Sequence, residues 1–460
     1  MNLSTNKIQL GWSHLAILIC TIVVVYVSFS NSAWRKGRVI ENDVISYYAY
    51  LPATFIYNDL SLDFIHDYPQ GHFSDKIWFQ ETEINKKAIM KPMGASFLYF
   101  PFFLLSDYYA RITYHGVDGY SIPYRFGIAM SSLFYFVLGL FILQRLLKRY
   151  FNEFIVGLTL MAVSIGTNLL TYVTVEPGMT HSYSFFLHAC ILFFLDKWIH
   201  DKRNKHLYYL SFFYGLLVLL RPTEGVIILL FPFYQVCSKE SFKKRITFLR
   251  ESILPILKSG LLAFAVIVPQ LCYWKFISDN WYYSPYDDNE RFFFNDPQIF
   301  NGLLSYRKGW LVYSPIMIFS LLGMFLNIRG KVSLNFPLFL YFFATIYLVF
   351  SWWCWWYGGS FGMRAMIGMH AILALPMATF LKFLYSNNKI IFGLIAMIFV
   401  SLTSLSIFQN YQYRIGVIHY EAMTKETYWG VFMKDEHYPN YWEELDVPDY
   451  ETAKMGNRDL

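Results

Sequence analysis

Charged residues are scarce in this chain. Asp, Glu, Lys and Arg make up 15% of its 460 residues, whereas a soluble domain carries about 25%. Hydrophobic residues account for 56% and aromatic residues for 21%. The apolar residues form long runs, which predict membrane helices because about 20 residues cross the hydrocarbon layer. These runs lack the short alternation of a β-barrel, so the sequence predicts an all-α polytopic membrane protein.

Cysteine is scarce as well. The five cysteines stand singly in apolar stretches, at positions 20, 190, 237, 272 and 354. They form no CxxC or Cys/His spacing, so the sequence does not indicate a disulfide framework or a zinc site. We interpret them as small buried apolar residues.

The basic residues fall in short clusters between the apolar segments. The net charge of +6 therefore follows the positive-inside pattern of membrane proteins and does not indicate nucleic-acid binding. These clusters are predicted to be cytoplasmic and lie at 145–149, 202–205, 239–245, 329–331 and 382–389. The apolar run after Lys7 is interpreted as an uncleaved first span, because it is long and no A-x-A site follows.

The apolar runs predict about eleven spans, with the N-terminus inside. The uninterrupted runs are 11–30, 123–144, 154–173, 182–199, 252–276, 310–327, 335–352, 365–384 and 390–408. The predicted outer segments are 31–92, 174–181, 277–309, 352–364 and a soluble tail at 409–460. Residues 94–112 carry Pro101, Asp107 and Arg111 and are interpreted as an interfacial or re-entrant helix. The first outer loop with its juxtamembrane helices thus covers 31–112 of a transmembrane domain spanning 1–408.

The region 207–237 is apolar but interrupted by Arg221-Pro222. Both of its flanks are basic, so both are predicted to be cytoplasmic. Two short helices that meet at Arg221 satisfy this condition, since proline interrupts a helix. A single kinked span is the alternative, and it would invert the sidedness of all later loops.

Several polar residues have no evident structural purpose and share one side of this topology. They are Asp43, Lys91, Glu176, His181, Arg221, Glu224, Arg307 and Arg364. A proton relay would instead place ionisable groups at mid-membrane depth. A ring of cations with one or two carboxylates indicates an anionic substrate at the membrane surface, where lipid phosphate is the natural anion. Asp287, Asp288 and Asp296 have no ligand spacing and are interpreted as solvated loop charges.

The order and spacing of these polar motifs resemble a known family. The motifs are Glu41-Asn42-Asp43 with Tyr47-Tyr48, Lys91-Pro92-Met93-Gly94, Glu176-Pro177-Gly178 through His181, Arg221-Pro222-Thr223, and Trp356-Tyr357-Gly358 through Arg364. Over residues 1–408 the chain is similar to the GT-C superfamily of integral-membrane glycosyltransferases, including mannosyltransferase-like and aminoarabinose-transferase-like members.

The resemblance implies a GT-C fold and a sugar donor linked to polyprenyl phosphate. Its acceptor would be a hydroxyl of a lipid, glycan or protein. The family keeps its catalytic acid just after the first span, and Asp43 occupies that place, with a shared role for Glu41 left open. The resemblance further implies an inverting, metal-independent reaction without a cofactor, on the periplasmic or extracellular side of the plasma (inner) membrane.

Each candidate residue also has a structural alternative. Asp43 as general base competes with a helix N-cap. Phosphate contacts by Lys91, Arg221, Arg307 and Arg364 compete with ordinary interfacial cations. Glu176 and His181 can orient a substrate or cap a span, and two such ligands are too few for a metal. Sugar stacking by Trp356, and a cavity floor formed by Tyr47 and Tyr48, compete with interface anchoring.

A transporter or flippase of a lipid-linked saccharide is the alternative function. It would bind the same anionic headgroup but would need alternating access. The chain shows no internal repeat of the transporter kind, and its unexplained charges lie on one side. Both observations favour the enzyme.

Overall fold

The computed structural model describes residues 11–67, 76–236, 238–286, 289–326 and 335–458. The described chain is mostly helical, which agrees with the predicted all-α membrane class. Some residues used in the sequence analysis lie outside the described residues: Lys7, Cys237, Asp287, Asp288 and the basic cluster 329–331.

The N-terminal half contains nine helices of the α type and one small hairpin among the described residues. They are α1 (Trp12–Asn31), α2 (Asp43–Phe55), β1 (Phe79–Glu81), β2 (Lys87–Ile89), α3 (Gly94–Ile112), α4 (Ile122–Leu147), α5 (Glu153–Ile165), α6 (Leu169–Thr174), α7 (His181–Asp201), α8 (Asn204–Leu220) and α9 (Leu230–Phe233). Short 3-10 helices cover Asp63–Asp67 and Pro222–Leu229. The antiparallel pair β1–β2 was not predicted; its turn uses Asn85 at a φ of 57°.

The C-terminal half continues with helices of very different lengths. They are α10 (Lys239–Glu251), α11 (Ile253–Ser278), α12 (Ile299–Leu304), α13 (Trp310–Tyr313), α14 (Ile318–Met324), α15 (Asn335–Ser351), α16 (Ile367–Asn387), α17 (Lys389–Arg414), α18 (Lys425–Gly430) and α19 (Tyr450–Lys454). Two 3-10 turns, Pro315–Met317 and Arg364–Met366, precede α14 and α16.

Five of the described helices are long and apolar enough to cross a membrane. They are α1, α4, α11, α16 with its preceding turn, and α17. Two other predicted spans are interrupted. The run 154–173 breaks between α5 and α6, and the run 310–327 breaks before Pro315, where proline removes a backbone donor.

The helices α7 and α16 form the centre of the bundle, and α11 and α17 lie at its periphery. In the most apolar window of α16, 78% of residues are buried, against 11% for α11 and 17% for α17. Glycines let the central helices approach closely. A Cβ on Gly368 would lie 2.3 Å from Ser184 Oγ, and one on Gly323 would overlap the backbone of Pro376. The exposed apolar faces of α11 and α17 fit contact with lipid.

The predicted outer segments meet at one end of the bundle. Thr82 Oγ1 donates to Ile277 O at 2.8 Å, and the Phe293 amide donates to Ser351 O at 2.7 Å. At the opposite end, Arg149 pairs with Asp196 of α7 at 3.0 Å. These contacts place the predicted outer segments at one end of the bundle and Arg149 at the other.

The chain reverses direction at Arg221. Its Nη1 lies 3.2 Å from His181 Nδ1, at the start of α7. Fourteen residues later, Gln235 Nε2 lies 3.3 Å from Asp196 Oδ1, near the other end of α7. Pro222 ends α8 because it cannot donate the next helical hydrogen bond. The path therefore follows the two-helix interpretation of this region and not the single kinked span.

The segment 415–458, here called the tail segment, packs on the predicted outer segments. It shares a second apolar cluster with one residue of α13 and one of the loop before α16; the members are Tyr313, Phe361, Val417, Ile418, Met423, Tyr428, Val431 and Tyr441. The helix before it, α17, extends to Arg414, six residues beyond the predicted end at 408. The tail segment thus adds to the core at the polar end of the bundle.

Candidate functional site

The first turn of α2 presents Asp43. The N-cap residue is Asn42, which has a φ of 50° and makes no side-chain capping bond. Such a φ is strained for a residue other than glycine. Asp43 is the first residue of the helix, so it does not occupy the N-cap position that the structural alternative assigned to it.

Asp43 lies between two cations from distant parts of the chain. Its Oδ1 is 3.3 Å from Lys91 Nζ, and its Oδ2 is 3.3 Å from Arg364 Nη2. The three side chains are 18%, 17% and 13% exposed, respectively. Lys91 lies just before α3, and Arg364 opens the turn before α16. Three separate segments therefore build one charged cluster, which we call the Asp43 cluster.

The two cations keep the Asp43 carboxyl ionised. Burial would raise its pKa, but Lys91 and Arg364 together outweigh burial, and the pKa lies below its usual value. Arg221 acts in the same direction from farther away. Burial would lower the pKa of Lys91, but the attraction and hydrogen bond of Asp43, together with Tyr286 and Tyr47, outweigh it, and the pKa is raised. The cluster is thus a fully charged group in a largely dehydrated place.

Glu41 points toward a different partner. It is partly exposed, and its charge acts on Arg125 of α4. The structure therefore gives Glu41 a different neighbourhood from Asp43, although the two are only two residues apart in sequence.

Arg221 and His181 form a second polar group beside the Asp43 cluster. Arg221 Nη1 is 3.2 Å from His181 Nδ1 and 3.4 Å from Thr180 Oγ1. Arg221 Nε is 3.0 Å from Glu224 Oε1, in a charge contact without hydrogen-bond alignment. Ser184 Oγ donates to the other oxygen of Glu224. Arg221 is thus held by α7 and by its own 3-10 turn.

Glu176 is a second buried carboxyl at the same end. Tyr413 donates its hydroxyl to Glu176 Oε1 at 2.5 Å. Burial raises the pKa of Glu176, while Tyr413, Arg364 and Lys308 act in the opposite direction. Arg364 therefore has a carboxyl partner in Asp43 and a second carboxyl in its electrostatic neighbourhood.

The two tyrosines of α2 have different surroundings. Tyr47 is 8% exposed and shares the electrostatic neighbourhood of Lys91, Asp43 and Arg221. Tyr48 is fully buried, and its hydroxyl donates to Gly119 O at 2.6 Å. Tyr47 thus borders the Asp43 cluster, whereas Tyr48 links α2 to the loop before α4 through a hydrogen bond.

Arg307 and Trp356 face the tail segment. Arg307 donates to Asp446 Oδ2 at 2.6 Å and to Glu421 O at 2.9 Å. Trp356 is fully buried, and its indole N–H lies 3.5 Å from Tyr450 OH. In this arrangement both side chains hold the tail segment, and the structure does not bring them to the Asp43 cluster.

Tyr413 was not among the predicted site residues, whereas Lys308 adjoins the predicted phosphate contact Arg307 in the sequence. Lys308 Nζ donates to Ser360 O and Oγ and to Tyr420 O. Burial lowers the pKa of Lys308 to about 7, and Arg364 acts in the same direction. The basic pair at 307–308 was the sequence signal, but only the fold shows which of the two faces the loop that carries Arg364.

An apolar cavity of about 500 Å³ has Tyr50, a hydrogen-bond partner of Lys91, in its wall. It is lined by α2, α3 and α11, through Tyr50, Leu51, Phe55, Met93, Phe97, Phe100, Cys272, Tyr273 and Phe276 among others. Tyr50 OH donates to Lys91 O at 2.8 Å, which joins the cavity wall to the cluster. Phe55, Phe97 and Phe276 are each more than 40% exposed, so the cavity reaches the surface of the bundle.

Among the described residues there is no group of three or more His, Cys, Asp or Glu side chains that could hold a metal ion. No family model matches the chain, and no curated protein matches it.

Proposed function

We propose that this protein is a glycosyltransferase that moves a sugar from a polyprenyl-phosphate donor to a hydroxyl of a lipid, glycan or protein. The observation that carries the proposal is the Asp43 cluster beside an apolar cavity. A buried carboxylate between two cations offers a base and a phosphate site in one place. The adjoining cavity offers room for an apolar chain.

The donor phosphate would compete with Asp43 for Lys91 and Arg364. Both cations lie 3.3 Å from the carboxylate, so a phosphate that engages them weakens its ion pairs. The pKa of Asp43 then rises, because the attraction that lowers it is shared with the ligand. Donor binding would thus convert Asp43 into a stronger base.

The proposed reaction is a single displacement. The acceptor oxygen attacks the anomeric carbon while the bond from that carbon to the phosphate oxygen breaks. The hydroxyl proton passes to Asp43, and the lipid phosphate leaves with its charge against Lys91 and Arg364. The configuration at the anomeric carbon inverts. Arg221 lies close enough to add a third positive charge.

The proposed architecture is a GT-C fold with about eleven spans in the plasma (inner) membrane, the N-terminus in the cytoplasm and the Asp43 cluster outside. The separation of the basic end from the Asp43 end supports it. The test uses a cysteine-free variant in intact cells and a membrane-impermeant maleimide. Tyr114→Cys, at a position where the native side chain is 97% exposed, should be labelled. Lys243→Cys, at an exposed position of α10, should not be labelled. The opposite pattern would overturn the orientation.

The function is tested with purified protein in detergent, a synthetic polyprenyl-phosphate sugar and an acceptor extract. We expect transfer by the wild type, with or without EDTA, and none by Asp43→Asn. The control is Asp63→Asn, which alters a 75% exposed carboxylate of the same loop and should keep activity. Transfer by Asp43→Asn at normal protein levels would refute the base assignment, and retention of configuration would refute the single displacement.

A carrier of a lipid-linked saccharide is the second candidate. It is favoured by ionisable groups inside the bundle: Glu224 and His188 are 8% and 1% exposed, with Glu224 Oε2 3.9 Å from His188 Nδ1. Movement of the donor across sealed vesicles, without sugar transfer by the purified protein, would select the carrier.

A further inference from the structure

Arg245 of α10 is a buried cation at the basic end of the bundle, opposite the Asp43 cluster. It is 8% exposed, and its Nη1 has no hydrogen-bond partner among the described residues. A buried guanidinium without a counterion is strongly unfavourable. An arrangement of this kind points to an anion supplied from outside the chain.

The nearby carboxylates are already paired with other cations. Glu240 of α10 is 2.6 Å from Lys244 Nζ. Asp196 is 3.0 Å from Arg149 Nε. Asp201 likewise has Lys197 and His206 as its partners. These acids are therefore not the counterions of Arg245.

Two further donors lie beside Phe248, which is one turn from Arg245 on the same face of α10. The ring of Trp198 is 4.8 Å from that of Phe248, and the Trp198 indole N–H is buried without a partner in the described chain. Lys202 Nζ lies 5.7 Å from the Phe248 ring. Trp198 and Lys202 thus both contact Phe248, one turn from Arg245, and Arg245 Nη1 and Trp198 Nε1 lack hydrogen-bond partners in the described chain.

The helix α10 has the character of an interfacial helix. Its exposed residues include four cations and the aromatic Phe242, which is 41% exposed; the cations are Lys239, Lys243, Lys244 and Arg250. A helix that combines basic and apolar exposed groups lies in the headgroup layer of a membrane. The anion nearest to such a helix is a lipid phosphate.

We propose that Arg245, with Trp198 and Lys202, forms a binding site for the phosphate of an anionic phospholipid at the basic end of the bundle. The phosphate accepts hydrogen bonds from the guanidinium and the indole N–H, and the exposed lysines of α10 attract the headgroup. The acyl chains then follow the apolar side chains of the adjoining helices. The site does not depend on the proposed glycosyl transfer.

The test measures binding of phosphatidylglycerol and phosphatidylcholine to the delipidated full-length protein by native mass spectrometry, with thermal unfolding as a second readout. We expect the wild type to prefer phosphatidylglycerol. Arg245→Gln should weaken that binding about tenfold or more, since a charge-assisted bond is lost. The matched control is Arg250→Gln, which removes an exposed charge from the same helix and should change the binding less than threefold.

Equal losses in the two variants would show diffuse attraction to a basic surface and overturn the site. The proposal is also overturned if inorganic phosphate raises the unfolding temperature as much as phosphatidylglycerol does at equal concentration, because the ligand would then be a free anion. Arg245→Met controls for a loss of binding that is caused by misfolding. Without lipid this variant should be at least as stable as the wild type, since a buried charge without a partner among the described residues is removed. Undiminished phosphatidylglycerol binding by Arg245→Met would refute the proposal.

Discussion

Replacing Asp43 by Asn should abolish transfer and yet strengthen donor binding. The substitution keeps the size of the side chain and removes its charge. Lys91 and Arg364, each 3.3 Å from the carboxylate in the wild type, then lose their counterion. A donor phosphate no longer has to displace Asp43 from these cations.

The distances give the size of the effect. At 3.3 Å and an effective dielectric constant of about 20, each ion pair is worth about 5 kcal/mol of attraction. Desolvation of the buried groups offsets most of it. A net release of about 1.4–2.8 kcal/mol corresponds to donor binding that is about 10- to 100-fold tighter.

The assay is isothermal titration of a non-hydrolysable polyprenyl-phosphonate sugar into wild type and Asp43→Asn, with transfer measured in parallel. Arg364→Gln serves as the opposite case, since it removes a phosphate contact and should weaken binding. Weaker binding by Asp43→Asn, in a protein that unfolds at a normal temperature, would contradict the competition between Asp43 and the phosphate.

Three further predictions concern stability. The Asp43 ion pairs stabilise the folded state fully above the unfolded Asp pKa of about 3.9. That stabilisation is lost as the pH falls through the lower pKa of Asp43 in the folded state. In Asp43→Asn the melting temperature should therefore fall less steeply at acid pH than in the wild type. Gly94→Ala places a Cβ 2.3 Å from the backbone of α8 and should lower the unfolding free energy by about 1–3 kcal/mol. The control is Gly260→Ala, whose added Cβ would have nothing within 4 Å, so the unfolding free energy should be unchanged or slightly higher. Equal losses of unfolding free energy in the two variants, measured by denaturant titration, would contradict the packing argument. Arg458→Gln removes a buried guanidinium that donates to the carbonyls of Ser351 and Trp352 and to the Asp296 carboxylate, and it should cost about 2–4 kcal/mol. Hydrogen exchange should then speed up in residues 351–364, whereas Lys425→Gln on the exposed side of α18 should leave it unchanged.

The membrane class and several helix boundaries could be predicted from local composition. The run after residue 11 became α1, and the acid that follows it became the first residue of α2. The predicted spans at 154–173 and 310–327 were less regular than their hydropathy indicated. Polar and proline residues near Asn168 and Pro315 interrupt them, and composition averaged over a window does not detect such breaks.

The candidate residues separated into different places for reasons that spacing could not reveal. Arg307 and Lys308 are adjacent, but one pairs with Asp446 and the other binds Ser360. Tyr413 reaches Glu176 because α17 extends further than its apolar run. In each case the partner lies more than 50 residues away, and long-range ion pairs leave no local pattern.

The sequence by itself determined that this chain belongs in a membrane and that its unexplained charges favour one side, because burial in lipid demands long apolar runs and penalises charge. Only the tertiary structure decided that Asp43 meets Lys91 and Arg364, since Arg364 follows Asp43 by 321 residues. The reversal at Arg221, and the lack of a hydrogen-bond partner for Arg245 Nη1 among the described residues, were also decided there. Partners of buried charges are chosen by how the helices pack, and that packing is a property of the whole fold.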